Sequence, residues 1–350
     1  MSEPLMHFKK PSYPIVDPLF EYLERFDRIS KVSISYDDFT RFSGSINVYD
    51  KQDKDTLWVR VYYSEYERNE IDLTLKKIYS LLHSDGNLDI LKFLNVDSID
   101  YCTFGNSKPF RIKVRNILND NYTHFYVKKA DASRIYGLEF EHILSPDKIN
   151  FLVYKDTLVE EHIMGIPGDV FMNNFLDHCS ETEKAQIAKE FVKFNERCMI
   201  RLLGDMRAYN YVIVPIHDFD QVVYKIRPID FDQQCYEGNF KVYRPQFFKE
   251  NFPMIDLVKG KLQDSSIEQY KNEERAAFAK RIHSSANRVK RLLTIMSNDR
   301  ISTEEHLNQL KLELYRYTND LKFKKAKSMG DIMSAAFEFI TRNFKNTNFI

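Results

Sequence analysis

Residues 202 to 214 read LLGDMRAYNYVIV, which places Asp205 five positions before Asn210 at the head of an apolar run. Further on, VVYKIRPIDFD closes a second strand-like run with two more carboxylates, Asp230 and Asp232, which alternate onto one face of an extended segment. Taken alone the first pair means little: roughly one Asp and Asn at this spacing is expected by chance in such a chain if each type fills about one position in twenty. Context gives it weight. A long helical stretch opening with Ser180 and Glu183 in capping-box spacing precedes the loop, and the β-type run YVIV follows it. Two strands ending side by side in oxygen donors make a site for a hard cation, Mg²⁺ rather than zinc.

The bulk of the chain limits what could position such a loop. Its 350 residues exceed one compact domain, so two lobes or one domain with additions is expected. Fifty-one Lys and Arg balance fifty-one Asp and Glu, which leaves no overall field to hold a polyanion or an anionic bilayer; neither nucleic acid nor membrane is an expected partner. Hydrophobic residues at 43% and aromatics at 14%, with only ten glycines, argue for a packed core and against a disordered or fibrous chain. Cys102, Cys179, Cys198 and Cys235 are widely spread, without the paired short spacing of a zinc site or redox dithiol, and read as reduced thiols. The first twenty residues carry charge and prolines where a signal peptide needs an apolar run. No window approaches the ~20 apolar residues of a membrane span, so a cytoplasmic globular protein is expected.

Three regions follow along the chain. Residues 1–94 read as an accessory α+β module, with a helix in DPLFEYLERF, strand-like SINVYD and TLWVRVYYSEY, and a helix in DLTLKKIYSLL; Trp58 reads as core. Residues 95–165 alternate strands and polar turns, FRIKVRN and YTHFYVKKA among them. The helix ADASRIYGLEFEHILS and two more strands, in KINFLVYK and TLVEEHIMG, then make a small sheet with one helix packed on it. Residues 166–350 are largely helical, and STEEHLNQLKLELYRYT opens with Ser302 and Glu305 in capping-box spacing. The basic stretch KRIHSSANRVKR reads as a solvated helix face.

A β-rich part before a helical part, with a loop-and-strand pair between, resembles the protein-kinase-like fold. It is closer to the aminoglycoside-phosphotransferase and other atypical branches than to eukaryotic protein kinases. The resemblance covers roughly residues 95 to 320 and implies a bilobal α+β fold. By this resemblance FYVKK stands where the family has V-A-I-K, which implies Lys128, or Lys129 on the opposite face, as the fixed cation on the phosphates of ATP. A carboxylate on the next helix would hold that lysine. Glu139, four residues from both Ile135 and Ile143, and Glu141, three from Leu138 and Leu144, both lie on apolar stripes where a charge must be paired. TLVEEHIMGIPGDVF resembles the strand and hinge between lobes, implying Glu161, His162, Ile163 and Met164 at the adenine edge, with Gly165 and Gly168 around Pro167 supplying the turn. In the loop, Asp205 would orient the attacking hydroxyl, Asn210 and Asp230 would hold Mg²⁺ with Asp232 as a further donor, and Arg207 would neutralise charge on the phosphoryl group.

The departures also carry information. TFGNSKPF has one glycine, Gly105, where a Gly-rich loop would cover the phosphates, and Leu203 precedes Gly204-Asp205 where the family has the His of an H-G-D or H-R-D triplet. No glycine follows Phe231, and no A-P-E segment precedes the last helices, which argues against a switchable protein kinase. The expectation is an ATP- and Mg²⁺-dependent phosphotransferase acting on a hydroxyl, of a small molecule sooner than a protein. The alternative is a pseudokinase-type nucleotide-binding regulator.

Overall fold

The computed structural model of the chain describes residues 10–50, 52–104, 107–219 and 221–344; Gly105 of TFGNSKPF lies outside them. The organisation is α+β, sheet-rich at first and helical afterwards, as the resemblance implied. Two compact units form. One holds Pro14–Asp131 and Ile149–His162; the other holds Ala132–Lys148 and the chain from Ile163 on, with the segment ending at Tyr13.

In the first unit α1 (Asp17–Arg25) and α2 (Tyr36–Phe39) precede the strands β1 (Gly44–Tyr49) and β2 (Asp55–Tyr62) and the helix α3 (Glu65–His83). There follow β3 (Leu94–Cys102), β4 (Phe110–Asn116), β5 (Tyr122–Lys129), β6 (Phe151–Tyr154) and β7 (Thr157–Glu161). Among the described residues these strands make one seven-stranded antiparallel sheet in the order β1-β2-β3-β4-β5-β7-β6. Its core follows from the period of two. Phe110, Ile112 and Val114 of β4 and Phe125 and Val127 of β5 are buried on one side, where Leu75, Ile78 and Leu82 of α3 join them. Arg111, Lys113, His124, Tyr126 and Lys128 alternate with them onto the other face.

Because β2 pairs with β3 through Trp58↔Cys102 and Arg60↔Asp100, the sheet runs across residue 94 without a break. The hairpin before that point is the sheet's edge and α3 covers its core. A two-stranded hairpin and a lone amphipathic helix cannot bury their apolar faces by themselves. Helix α3 also starts earlier than the periodicity of DLTLKKIYSLL implied, because Ser64 and Glu67 close a capping box ahead of it. Trp58 is half-buried under the Arg111 guanidinium, 4.5 Å from its ring, instead of in the core.

The second unit contains α4 (Ala132–Leu144), the strand β8 (Ile166–Pro167) and the helices α5 (Gly168–Asn174) and α6 (Glu181–Ile200). A second sheet of order β10-β9-β8 is completed by β9 (Tyr211–Asp218) and β10 (Gln221–Pro228). Then come α7 (Phe252–Lys261), α8 (Asp264–Ser284), α9 (Ala286–Ser297), α10 (Glu304–Thr318), α11 (Leu321–Lys325) and α12 (Met329–Phe344). Helix α4, expected to pack on the small sheet, belongs to this unit and contacts α8 and α9. Every residue from Ala132 to Glu141 is buried, so its polar side chains must find partners among the helices.

The capping box expected at Ser180 is present, with both of its hydrogen bonds. The one expected at Ser302 is not: Thr303 caps α10, and Ser302 donates to the carbonyl of Tyr236 instead. KRIHSSANRVKR is only in part a solvated face, since Arg281 and Arg288 turn inward onto Glu274 and Glu139. No helix among the described residues is long and apolar enough to cross a membrane, and all four cysteines are free.

Gly165 and Gly168 are needed for close approach, and neither is a positive-φ glycine. A Cβ on Gly168 would meet the ring of Tyr211 and stand 2.6 Å from the carbonyl oxygen of Ala208. Gly168→Ala is therefore expected to destabilise the protein by about 1–3 kcal/mol through overpacking. Gly260→Ala in α7, where nothing lies within 4 Å, should stabilise it by up to ~1 kcal/mol. Urea denaturation of the two variants checks the contrast; equal effects would show that the contact at Gly168 does not limit packing.

Candidate active site

The loop between α6 and β9 is held from several sides. Gly204 donates its N–H to the Gln233 carbonyl at 3.1 Å, and Asp205 its own to Val242 at 3.1 Å. Asn251, fully buried, donates through Nδ2 to the Met206 carbonyl at 2.9 Å and accepts from the Tyr211 hydroxyl at 2.9 Å. Asp205 itself sits at φ +57°, a left-handed conformation that Asp tolerates better than most residues. The N–H of Ile229 donates to the carbonyl of Asn210 at 3.0 Å, so the end of β10 lies against the end of the loop and brings Asp230 beside Asp205.

The Asp205 carboxylate accepts from Arg207 Nε at 2.8 Å and, more weakly, from Asn210 Nδ2 at 3.4 Å; the same Nδ2 donates to the Asp205 carbonyl at 2.7 Å. Burial pushes the Asp205 carboxyl up to about 6; Arg207 opposes that rise, and the charges of Asp230 and Glu250 add to it. A carboxylate that gives up its proton near pH 6 is matched to the duty of a general base at neutral pH.

Arg207 is spent on this arrangement. Its Nη1 donates to Glu250 Oε1 at 2.9 Å, and its guanidinium lies 5.0 Å from the centre of the Phe248 ring. The geometry ties the Arg207 guanidinium to the carboxylates of Asp205 and Glu250. Arg207→Ala removes a charge and a hydrogen bond that oppose the rise, so the Asp205 carboxyl should titrate above pH 6. Carbonyl-carbon NMR of that side chain reads the change; an unchanged or lower midpoint would contradict the assignment.

Asp230 and Asp232 converge on Arg134 at the start of α4. Arg134 Nη1 donates to Asp230 Oδ1 at 3.0 Å and to Asp232 Oδ1 at 2.5 Å, and the Asp232 N–H donates to Asp230 Oδ1 at 3.0 Å. The carboxylates supply hard oxygens of the right type. Their charge is nevertheless met by a guanidinium whose side chain is 2% exposed, and the amide of Asn210 is turned onto Asp205. So arranged, these residues do not fit a resident Mg²⁺. Nothing in the local sequence marked Arg134, because its role depends on a helix reaching residues almost a hundred positions away.

In the first unit Lys128 has a carboxylate partner, but it is Glu160. The two are 2.7 Å apart with side chains 8% and 5% exposed. Lys128 stands opposite Leu158 in the ladder and Glu160 opposite Tyr126, a diagonal that long side chains on one face can span. The pairing of β5 with β7 is the signal that would have found Glu160. The carboxylates expected to hold Lys128 serve elsewhere: Glu139 accepts from Arg288 Nε at 2.7 Å, and Glu141 pairs with Arg201. Lys129 lies on the opposite face, 3.0 Å from Asp37.

The N–H groups of Glu161 and His162 donate to the Asn150 carbonyl at 3.1 Å and to the His124 carbonyl at 3.2 Å, so neither is available for the adenine edge that the resemblance implied. The His162 ring meets the Tyr126 hydroxyl through Nδ1 at 3.0 Å. Ile163 is buried and Met164 is 74% exposed.

No protein-family model and no curated protein matches the chain. Among solved structures, an ethanolamine kinase of Plasmodium vivax aligns at 11% identity over 75% of this chain and 88% of the other, with a TM-score of 0.28. A likeness that shallow carries no argument about this chain.

Proposed function

We propose that the chain transfers a phosphoryl group from ATP to a hydroxyl, with Asp205 as the base. The observation that carries the reading is the Asp205 carboxylate, raised to about 6, held by Arg207 and set in a left-handed loop position by backbone bonds to the chain around it. In the reaction Asp205 takes the hydroxyl proton as that oxygen bonds to the γ-phosphorus and the bridging oxygen leaves with ADP. Lys128, paired with Glu160, is the proposed phosphate contact of the first unit. The acceptor class is a small molecule, in keeping with the missing activation segment.

Arg134 favours a second reading, nucleotide binding for regulation, because it occupies the carboxylates a catalytic metal would use. ATP at a hundredfold excess over its dissociation constant should stabilise the fold by about 2.7 kcal/mol in either case, so a thermal shift tests binding. Transfer of labelled phosphate to a metabolite extract, lost in Asp205→Ala, separates the readings. Background-level transfer by both proteins would leave only the regulatory one.

A further inference from the structure

We infer that the second unit carries a binding site for an aliphatic carboxylate, whose head is taken by Arg244 and whose chain lies in an apolar hollow between α6, α10, α11 and α12. The hollow has a volume of about 250 Å³, and Ile200, Leu314, Phe323, Ala336, Phe339 and Ile340 are among its walls. The Thr318 hydroxyl, also there, donates to the Leu314 carbonyl at 2.7 Å. Such walls offer water few hydrogen-bond partners and favour a hydrocarbon occupant. A second hollow of about 300 Å³ adjoins the first, sharing Met199, Arg275 and Tyr317 with it. Cations dominate its charged lining. Arg275 is answered by Glu196 at 2.5 Å and Lys271 by Glu268 at 2.6 Å, which leaves Arg244 and Lys259 against the one carboxylate of Asp264. Arg244 stands at the junction of the two hollows. Its guanidinium lies 4.7 Å from the centre of the Phe247 ring and 5.8 Å from those of Phe240 and Tyr317. The last two rings wall the apolar hollow and pack on each other at 5.2 Å. Contacts with ring faces hold a guanidinium without using its N–H donors, and among the described residues those donors make no hydrogen bond or ion pair. The segment that carries Arg244 is fixed: the Gln246 N–H donates to Asn195 Oδ1 at 2.9 Å, and the Phe240 N–H to Glu313 Oε2 at 2.7 Å. A planar fork so held matches a carboxylate, which accepts two parallel hydrogen bonds from it. Hydrocarbon beyond that head can pass Met199, whose unbranched side chain adapts to a neighbour, into the apolar hollow.

The test is calorimetric titration of the full chain, without nucleotide, with hexanoate, decanoate, decanol and decyl phosphate below their micelle concentrations. Its outcome is therefore independent of whether Asp205 acts as a base. Decanoate should bind at a single site about a hundredfold more tightly than hexanoate, as about four more buried methylenes imply. It should also bind at least about tenfold more tightly than decanol, which lacks the charge, and no less tightly than decyl phosphate. Arg244→Met should weaken decanoate at least about tenfold and leave decanol unchanged. Ala336→Leu, which fills the apolar hollow, should erase the gain from hexanoate to decanoate. Arg244→Gln and Ala336→Val serve in the same way if either of those variants does not fold. Decanoate that fails to bind, or that binds Arg244→Met as well as wild type, would overturn the inference. So would a preference for decyl phosphate, or a chain-length gain that survives in Ala336→Leu.

Discussion

Asp205→Asn should lower phosphoryl transfer about 10²- to 10⁴-fold, the usual contribution of a positioned base, while making the protein more stable at pH 8. Both effects have one cause. Burial raises the Asp205 carboxyl from its ordinary 3.8 to about 6, so the fold prefers the protonated form and binds that proton more tightly than the unfolded chain does. As pH rises from 3.8 through 6, the unfolded chain loses its proton first, and stability falls by up to about 3 kcal/mol. Asparagine carries no charge at any pH and avoids this loss. Its advantage should be near that figure at pH 8 and vanish below pH 4, measured by urea denaturation at the two pH values. In wild type, kcat/KM should rise with pH through about 6 and then level. An Asn variant that keeps wild-type turnover, or one less stable than wild type at pH 8, would remove Asp205 from the role.

The second large effect concerns stability alone. Arg201 and Glu141 are each 1% exposed and paired with one another. Arg201→Ala should destabilise the protein by about 3–5 kcal/mol, because it leaves a carboxylate buried without its cation. The double variant Arg201→Met, Glu141→Leu should recover most of that loss, since two apolar side chains of similar volume need no partner. Denaturation of Arg201→Met, Glu141→Leu and the double variant beside wild type forms a mutant cycle; a double variant as unstable as Arg201→Met would mean that packing, not the unpaired charge, dominates.

The distribution of these residues explains what could be read in advance. Local rules placed most elements: FRIKVRN became β4 with unchanged ends, because a period of two is written into neighbouring residues. The loop at Asp205 and the strand end at Asp230 were legible for the same reason, as each is a short motif bounded by an element on either side. The periodicity of α4 also showed that Glu139 and Glu141 would face apolar neighbours and need cations.

By itself, then, the sequence determined the succession of strands and helices, the candidate base, and the need of certain buried charges for partners. Tertiary structure alone decided who those partners are: Arg288 for Glu139 at a separation of 149 residues, Arg201 for Glu141 at 60, Glu160 for Lys128 at 32, and Arg134 for Asp230 at 96. A buried charge specifies only that an opposite charge must come within about 4 Å. Which of the 51 basic side chains arrives there depends on how helices and strands pack, and no local pattern encodes that choice.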